Sequence, residues 1–577
     1  MPKPAYDRYY RFDELTQLLH DFAREFPRYV ELSSIGKSYE GRDIWLVTIT
    51  DFETGPARNK PAFWCDGNIH ASEVSASTTV IKLIDLLTVN ATNSAYMAAK
   101  GEVIDIANLL KTRAFYLVPR LCPDGAEWSL ETPPRVVRSS VRPYPFEDED
   151  PEGLERMDMD GDGRILQIRI PDPDGAWKEC QEEPRLLVRR KPAEGPGKCY
   201  RLIPEGIFHH WDGLTMRGKR VQQGLDMNRN FPSAWRPEQE QVGAGPFPTS
   251  EPEIRAAVSA ICERPNICGA ITYHTFSGVH LRPPSRYADD DLAPEDLWTF
   301  KALGDVGEAM TGYPAISNYH EFRYHPKEVI TGVFDDWMFE HRGVYAWTTE
   351  IWSPQRQAGI TDYKYIDWFR DHPVEHDIML LKWSDEKLDG KGYVDWKPFN
   401  HPQLGEVEIG GWDSHYAFRN PPPQFLESEI TPLAEWAMWQ ASCSPLLAVH
   451  AEQIERLGDG HARIRLAVRN VGWLPTSVTR HAATKKLCPG VVAQIAREGD
   501  EHGTMRPEWL VSGALRTETK QLRGRNLLPS SGFGWQMDGG DDLELFEWVV
   551  EAKGHYTITV SHDRAGRIER TFDLSGH

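Results

Sequence analysis

The first half of the chain alternates two kinds of hydrophobic pattern. Apolar residues recur at helical spacing from Phe12 to Phe26, and Pro27 ends the pattern. A second helical pattern covers residues 76–87. Short apolar runs of the kind found in buried strands occupy residues 30–32, 44–49, 61–65 and 114–118. Strands that alternate with helices predict an α/β fold with a largely parallel or mixed sheet that helices cover on both faces.

The pattern is interrupted between about residues 143 and 224, where Pro, Asp, Glu and Gly are prominent. This composition indicates an insertion. The pattern then resumes with a helix over 251–262, a strand over 269–273 that ends in His274, and a strand over 345–349 that ends in Glu350. His274 and Glu350 are candidate site residues, because chemistry in such sheets collects at the loops beyond the strand ends.

The pattern changes again after about residue 447. Short alternating runs, bounded by turn signals such as Gly458-Asp459-Gly460, occupy residues 461–468, 543–550, 556–560 and 571–574. This pattern predicts a small antiparallel β-sandwich. We therefore expect a main α/β domain over residues 1–447, with its insertion at about 143–224, and a β-sandwich accessory domain over residues 448–577.

Length and charge narrow the classes of function. A chain of 577 residues exceeds a single core, so two or three domains are expected. The net charge of -21 argues against a nucleic-acid binder or a protein that binds anionic membranes, because both need a basic surface. The N-terminus has no signal-peptide pattern, and no apolar run reaches the roughly 18 residues that span a bilayer. A cytoplasmic location is therefore expected.

The eight cysteines form no Cys-x-x-Cys pair and no regular framework. We expect most of them to be free thiols packed as small apolar side chains. Cys180 and Cys199 are close enough in sequence to form a local bridge, but a reducing cytosol disfavours it.

Residues 66–73 read Asp-Gly-Asn-Ile-His-Ala-Ser-Glu and follow a predicted buried strand. His70 and Glu73, three residues apart, can each send one donor atom to the same cation if the chain turns or begins a helix there. Zinc accepts such ligands, and a hydrolytic zinc site needs three protein ligands and an open position. A third ligand must therefore lie elsewhere. Taken alone, the two residues are also typical of an ordinary surface pair.

The insertion contains a second candidate metal motif, because residues 158–163 read Asp-Met-Asp-Gly-Asp-Gly. Calcium prefers oxygen ligands with this alternation and a glycine at the turn, which makes candidate ligands of Asp158, Asp160 and Asp162. The twelfth position of the loop is Arg169 rather than Glu, so the motif is not a complete EF-hand, and Asp172 or Asp174 would have to close the shell. The alternative is an acidic, solvated turn.

Several of these residues match one known family in the same order. His70, Glu73, Asn228-Arg229, His274 and Glu350 resemble the zinc carboxypeptidases, the family with the pancreatic carboxypeptidase A and B fold. The resemblance runs from about residue 9 to about residue 384, apart from the insertion. In the segment that begins at Asp336-Trp337 and ends at Thr349-Glu350, both the residue types and the spacing match.

The resemblance implies a ligand set and a base. His70, Glu73 and His274 would be the zinc ligands, and Glu350 the general base that takes a proton from water and passes it to the leaving amine. The implied activity is that of a zinc-dependent metallocarboxypeptidase, which hydrolyses the C-terminal peptide bond of peptides or proteins by zinc-promoted attack of water. The accessory domain is then expected to be dispensable for the chemistry.

The resemblance also implies substrate contacts. Arg229, with Asn228 beside it, matches the residue that pairs with the terminal carboxylate of the substrate, which a planar guanidinium can hold by two hydrogen bonds. Arg138 resembles the arginine that stabilises the oxyanion. Arg135 and Arg142 are its competitors for that role.

The sequence departs from the pancreatic members at three places. Ser72 stands where they have an arginine between the first two ligands, and Phe276 replaces a tyrosine. Glu328 stands where they have a mobile tyrosine, for which Tyr324 is a possible substitute. Substrate closure is therefore expected to differ.

Asp335 lies fifteen residues before Glu350, at the position that lines the side-chain pocket in the family. An acid there resembles the members that remove C-terminal Lys or Arg, because a partly buried carboxylate stabilises a cation. The alternative is that Asp335 and Asp336 begin a helix at residues 337–340, where acids favour the helix dipole.

Two other classes of function remain open. A zinc amidohydrolase of the deacylase branch, acting on N-acyl amino acids, also uses His-x-x-Glu and a distant His. A binding module with an inactive site is the non-enzymatic alternative, although the sequence lacks none of the ligands or the base.

Overall fold

The computed structural model describes residues 2–146, 151–325, 327–499, 507–527 and 540–575. A sheet of eight strands forms its centre. The strands are β1 (Val30–Lys37), β2 (Asp43–Ile49), β3 (Ala62–Gly67), β4 (Ala114–Val118), β5 (Ile267–Thr275), β6 (Val279–Arg282), β7 (Ala315–Ser317) and β8 (Tyr345–Ile351).

The central sheet is mixed, as the sequence predicted. Its strand order is β1-β2-β4-β3-β5-β8-β6-β7. The four inner strands β4, β3, β5 and β8 run parallel, whereas β2 pairs antiparallel with β4 and β6 pairs antiparallel with β8. All residues of β3, β4 and β5 are buried, which explains their nearly continuous apolar runs.

Thirteen α-helices surround or extend this sheet within the described residues. They are α1 (Phe12–Glu25), α2 (Val74–Val89), α3 (Ile106–Thr112), α4 (Pro123–Ser129), α5 (Pro252–Cys262), α6 (Pro294–Thr311), α7 (Asn318–Glu321), α8 (Phe334–Trp337), α9 (Pro354–Gln357), α10 (Tyr365–Arg370), α11 (Val374–Lys387), α12 (Pro423–Ser442) and α13 (Arg480–Lys485). Helices α2 and α12 pack on each other and on β3 and β5, while α1 and α5 pack on β1. The predicted helices over 76–87 and 251–262 correspond to α2 and α5.

The segment that we interpreted as an insertion forms a second sheet with a later hairpin. The six strands in spatial order are Leu187–Arg189, Trp177–Glu179, Tyr200–Pro204, Gln167–Pro171, Gly405–Trp412 and Tyr393–His401. The strand Gln167–Pro171 pairs antiparallel with Gly405–Trp412. Two short strands of the same segment, Gly153–Arg156 and Gly206–His209, pair separately. The insertion therefore pairs with a hairpin that follows the last strand of the central sheet in sequence.

The C-terminal region consists mainly of antiparallel strands, as predicted. One four-stranded sheet contains Leu447–Leu457, His461–Asn470, Leu543–Glu551 and Leu510–Ser512, and the other contains Arg516–Glu518, Val492–Arg497, His555–His562 and Gly566–Asp573. Ile464 of the first sheet and Ile558 of the second belong to one apolar cluster, so the two sheets form a sandwich.

The sandwich region also contacts the main fold closely. Leu474 and Val478 belong to the same apolar cluster as the central sheet. The buried Arg564 guanidinium donates to the carbonyl oxygens of Gly343 and Ser477, at 3.1 and 2.8 Å. The boundary at residues 447 and 448 stays a prediction.

All eight cysteines are free thiols. Cys180 and Cys199 are buried and unbridged, in line with the expectation that most cysteines pack as small apolar side chains. Among the described residues, no helix has the length and apolar character needed to cross a membrane.

Candidate active site

Three possible metal ligands meet at the carboxyl ends of two neighbouring parallel strands. His70 and Glu73 lie in the turn between β3 and α2, and His274 is the second-last residue of β5. The donor atoms of His70, Glu73 and His274 all lie within 4.8 Å of one another, and all three residues are buried. The fold thus assembles a distant histidine with the His-x-x-Glu pair.

The donor atoms of this group suit zinc. His70 Nδ1 lies 3.0 Å from Glu73 Oε1 and 3.0 Å from His274 Nδ1, and His274 Nδ1 lies 3.3 Å from Glu73 Oε2. Two imidazole nitrogens and one carboxylate are a ligand set that zinc accepts in hydrolytic sites. Burial lowers the pKa of His274 to about 4, which keeps its imidazole in the neutral form that binds metals.

The second nitrogen of each imidazole has its own polar partner. His70 Nε2 lies 3.1 Å from Asp226 Oδ1, and His274 Nε2 lies 3.4 Å from the Thr272 hydroxyl, which donates to Asp66 at 2.6 Å. When Nε2 of each ring carries the proton, Nδ1 presents its lone pair to the cation. Such outer contacts orient histidine ligands in metal sites.

Glu350 faces the same group from the next strand. It lies in β8 and pairs in parallel register with His274 of β5. Its side chain lines a cavity of about 510 Å³ together with Glu73 and Arg138. Burial and the nearby Glu73 carboxylate raise the pKa of Glu350 well above its ordinary value. A raised pKa makes a carboxylate a better proton acceptor.

The structure separates the three candidate oxyanion arginines. Arg138 lines the cavity; its Nε donates to Asp226 at 2.9 Å, and its Nη1 lies 3.3 Å from Glu73 Oε1. The exposed Arg135 instead pairs with Glu131 and stacks on Trp128. Arg142 pairs with the buried Glu251 at 2.7 Å. Only Arg138 of these three lines the cavity.

Asn228 and Arg229 lie in a single helical turn, Met227–Arg229. The Asp226 carboxylate accepts from the Asn228 amide at 2.9 Å, and Asn228 Oδ1 accepts from the Phe334 amide at 2.9 Å. These bonds fix the turn, and Arg229 lines both the large cavity and a smaller recess of about 60 Å³ beside it.

Asp335 lines that smaller recess and is buried. Its carboxylate accepts from Asn318 Nδ2 at 2.7 Å, and burial raises its pKa to about 6. Asp335 and Asp336 also occupy the first turn of α8, which begins at Phe334. The position of Asp335 therefore agrees both with an acid that lines a side-chain pocket and with an acid at the start of a helix. That helix begins at Phe334, earlier than the predicted residues 337–340.

Aromatic side chains form a wall of the cavity. Tyr324, the possible substitute for the mobile tyrosine, lines both the cavity and the recess, and its side chain is half exposed. The Tyr365 hydroxyl donates to the carbonyl oxygen of Phe276 at 2.8 Å, and Phe369 stands beside them.

Two of the three expected calcium ligands, Asp158 and Asp160, lie close together, but Asp162 does not join them, and calcium is not supported. The Asp162 carboxylate pairs with Arg164 at 2.6 Å. Asp158 and Asp160 lie instead beside the buried Glu205, whose two oxygens accept from backbone amides. Asp158 likewise accepts from two backbone amides of its own turn. The motif is an acidic turn whose carboxylates mostly satisfy the local backbone.

Sequence reasoning missed three charged residues of the cavity, Asp226, Arg370 and Arg419. Asp226 could have been found, because it lies two residues before Asn228 in the same motif. Arg419 lines the cavity from a turn far beyond β8, and no local pattern indicated it.

Comparisons with known proteins agree with the fold. A family model described as zinc carboxypeptidase matches residues 15–369, which is more than half of the chain. This defines the class as metal-dependent peptidases. The chain belongs to the zinc carboxypeptidase family. A second model, described as a domain of unknown function, matches residues 446–573.

Individual relatives cover different shares of the chain. Carboxypeptidase B of Astacus astacus is 24% identical over 59% of this chain and 86% of that protein. A zinc carboxypeptidase of Saccharothrix mutabilis subsp. capreolus is 32% identical, but the match spans 22% of this chain and 27% of that protein. Among solved structures, thrombin activatable fibrinolysis inhibitor is 16% identical over 76% of this chain and 74% of that chain, with a TM-score of 0.42.

Proposed function

We propose that the protein is a zinc-dependent metallocarboxypeptidase that removes the C-terminal residue of peptides or proteins. The observation that carries the proposal is the meeting of His70, Glu73 and His274 beside a cleft that Glu350, Arg138 and Arg229 line. Family membership supports the same activity. The deacylase alternative has no such support.

His70 Nδ1, His274 Nδ1 and the Glu73 carboxylate would hold the zinc ion. When bound there, zinc supplies a Lewis acid that polarises the scissile carbonyl and acidifies water. Asp226 and Thr272 keep the two imidazoles in the required tautomer.

Glu350 is the proton carrier in this proposal. Its carboxylate takes a proton from the attacking water while the new bond from oxygen to the carbonyl carbon forms. It then gives that proton to the leaving amine as the carbon–nitrogen bond breaks. The raised pKa of Glu350 suits both steps, since the group must first accept and then donate a proton.

Arg138 and Arg229 bind different parts of the substrate. Arg138 donates to the carbonyl oxygen as it gains negative charge. Arg229, which lies between the cavity and the recess, holds the terminal carboxylate. A guanidinium fixed at that place favours substrates with a free C-terminal carboxylate, so the enzyme acts as an exopeptidase. The side chain of the leaving residue then enters the recess that contains Asp335.

The test is a peptide-library digest read by mass spectrometry, on the wild type and on Glu350→Gln. The wild type should release single C-terminal residues. Glu350→Gln should keep about one zinc per chain, yet lose roughly 10²–10⁴-fold in turnover, because proton transfer contributes that much. Release of N-acyl groups from acylated amino acids without peptide cleavage would favour the deacylase. Wild-type turnover in Glu350→Gln would remove Glu350 from the mechanism.

The metal proposal has its own readout. His274→Ala should lose most of the zinc that metal analysis finds in the wild type, because only two of three ligands remain. Stoichiometric zinc in this variant would show that the ligands lie elsewhere. Absence of zinc from the folded wild type would favour the inactive binding module.

A further inference from the structure

Arg419 differs from the other three arginines of the large cavity in its contacts. Arg138 donates to Asp226, Arg229 donates to the carbonyl oxygen of Asn228, and Arg370 pairs with Asp367 at 3.0 Å. Within the described part of the chain, the Arg419 guanidinium has no hydrogen-bond partner. Its ion pair with Glu73 Oε1 is long, at 3.8 Å, and its side chain is 34% exposed, toward the cavity. It is a largely enclosed cation without an acceptor of its own.

The position of Arg419 is fixed by its neighbour. The fully buried Asn420 donates to the carbonyl oxygen of Ser72 at 2.8 Å and accepts from the Ser75 amide at 3.1 Å. Ser72 lies between the two candidate ligands of the His-x-x-Glu pair. The turn Ser414–Arg419 is therefore attached directly to the backbone that carries them.

The approach of this turn to the cleft depends on the second sheet. The turn follows the strand Gly405–Trp412, which pairs with the insertion strand Gln167–Pro171. Residue 419 lies outside the residues that match the family model. Arg419 thus reaches the cleft from a turn that lies beyond the matched residues.

Arg419 lies on one side of the cleft only. It lines the large cavity but not the recess that contains Asp335. In the proposed function, the recess takes the leaving residue and the large cavity takes the rest of the peptide. Glu73 is then engaged with zinc, and Arg138 and Arg229 are engaged with the scissile carbonyl and the terminal carboxylate. Arg370 is paired with Asp367, so Arg419 is the remaining cation, and its guanidinium faces the large cavity.

We propose that Arg419 is a specificity-determining residue that binds an acidic side chain on the substrate residue directly before the scissile bond. The inference rests on the proposed function. A carboxylate can take two parallel hydrogen bonds from a guanidinium, whereas an amide of the same shape offers only one acceptor oxygen. The enzyme therefore prefers Glu over Gln at that position.

The experiment compares two tetrapeptides that differ only in the residue before the C-terminal residue, which is Glu in one and Gln in the other. Both end in the C-terminal residue that the wild type removes fastest. The wild type should cleave the Glu peptide with a kcat/KM about tenfold higher, as expected for hydrogen bonds to a charged group. Arg419→Gln should bring the ratio of the two values close to one, and Arg419→Lys should keep part of it. Arg135→Gln is the matched control and should keep the wild-type ratio, because Arg135 is exposed and pairs with Glu131.

A binding measurement separates this inference from catalysis. Calorimetric titration of Glu350→Gln with the two peptides should give the same preference for Glu, and Glu350→Gln combined with Arg419→Gln should abolish it. Metal analysis of each variant checks that zinc is retained.

The possible failures are distinct. If neither peptide loses its last residue, the proposed function fails. If the wild type cleaves both peptides at equal rates, or if Arg419→Gln lowers both rates equally, the proposed function stands and the acidic subsite is wrong. Equal loss would assign Arg419 to a backbone contact instead.

Discussion

Asp226 connects several charged groups of the site at the residue scale. Its carboxylate lies beside His70 Nε2, accepts from Arg138 Nε and caps the turn that carries Asn228. Burial raises its pKa, but the Arg138 and Arg229 guanidinium groups outweigh this effect and hold the pKa well below its ordinary value. An ionised Asp226 therefore orients one proposed metal ligand and two proposed substrate contacts at once.

Asp335 gives a prediction about the leaving residue. Wild type should prefer C-terminal Lys over Leu above pH 6, because the carboxyl group, whose pKa is raised to about 6, is then ionised and can bind a cation. The preference should weaken as pH falls through 6, where the carboxyl group becomes protonated. Rates on peptides ending in Lys and in Leu, measured from pH 5 to 8, test this.

Asp335→Asn should remove both the preference for Lys and its pH dependence. Asp336→Asn is the control, because that carboxylate accepts from the Ser285 amide and does not line the recess. Equal wild-type rates for Lys and Leu at pH 8 would contradict the assignment.

At the scale of elements, the junction of β3 and α2 determines where the first two proposed ligands lie. Gly67 ends β3, and a Cβ atom there would lie 2.6 Å from the carbonyl oxygen of Ala76 in α2. The strand end and the helix can approach this closely only without a side chain. His70 and Glu73 are held between them.

Gly67→Ala should weaken zinc binding without removing a ligand. The added methyl group must push α2 away from β3, which shifts Glu73 relative to His274. We expect a rise of about tenfold or more in the zinc dissociation constant, comparable to the loss of an outer-shell contact. Competition with a chelator measures it. Gly458→Ala is the control, since a Cβ at Gly458 meets no atom within 4 Å and the backbone there is not in the left-handed region. Unchanged zinc affinity would show that the junction tolerates the shift.

Local patterns were sufficient for the inner strands and the residues at their ends. The apolar runs that became β3 and β4 are continuous because both faces of these strands are buried. His70, Glu73, His274 and Glu350 were then singled out by their positions near strand ends and by the resemblance to the family. Arg419 and Glu205 could not be predicted, because their places depend on pairing between strands far apart in sequence. Asp162 was misassigned because its pairing with Arg164 depends on side-chain direction, which the motif does not encode.

The sandwich and the main fold share contacts at the scale of the whole molecule. The carboxylate of Asp296 in α6 accepts from the backbone amides of Arg480 and His481, at 2.7 and 2.8 Å. The Thr479 hydroxyl donates to the carbonyl oxygen of Gly343, in the loop that leads into β8. Arg564 donates to the same carbonyl oxygen. The strand that carries Glu350 is thus supported from the sandwich side.

A chain truncated after Leu447 should therefore be less stable, although none of the proposed site residues is removed. We expect a lower melting temperature and reduced activity per molecule, because Asp296 and the 343 carbonyl group lose their partners. Calorimetry and zinc analysis of the truncated chain test this. Arg564→Met in the full chain should destabilise in the same direction, whereas Arg567→Gln, on an exposed arginine, should not. An unchanged melting temperature would contradict this prediction, whereas unchanged activity and zinc content would agree with the expectation that the sandwich is dispensable for the chemistry.

The hydrogen bonds between Asn420 and the backbone at Ser72 and Ser75 also determine when the cleft can be completed during synthesis. The ribosome makes every proposed metal ligand and the proposed base well before it makes the turn at 414–419. A nascent chain that already contains Glu350 still lacks one wall of its cleft and the partners that hold the Ser75 amide. Completion of the cleft is thereby delayed until most of the polypeptide has been made.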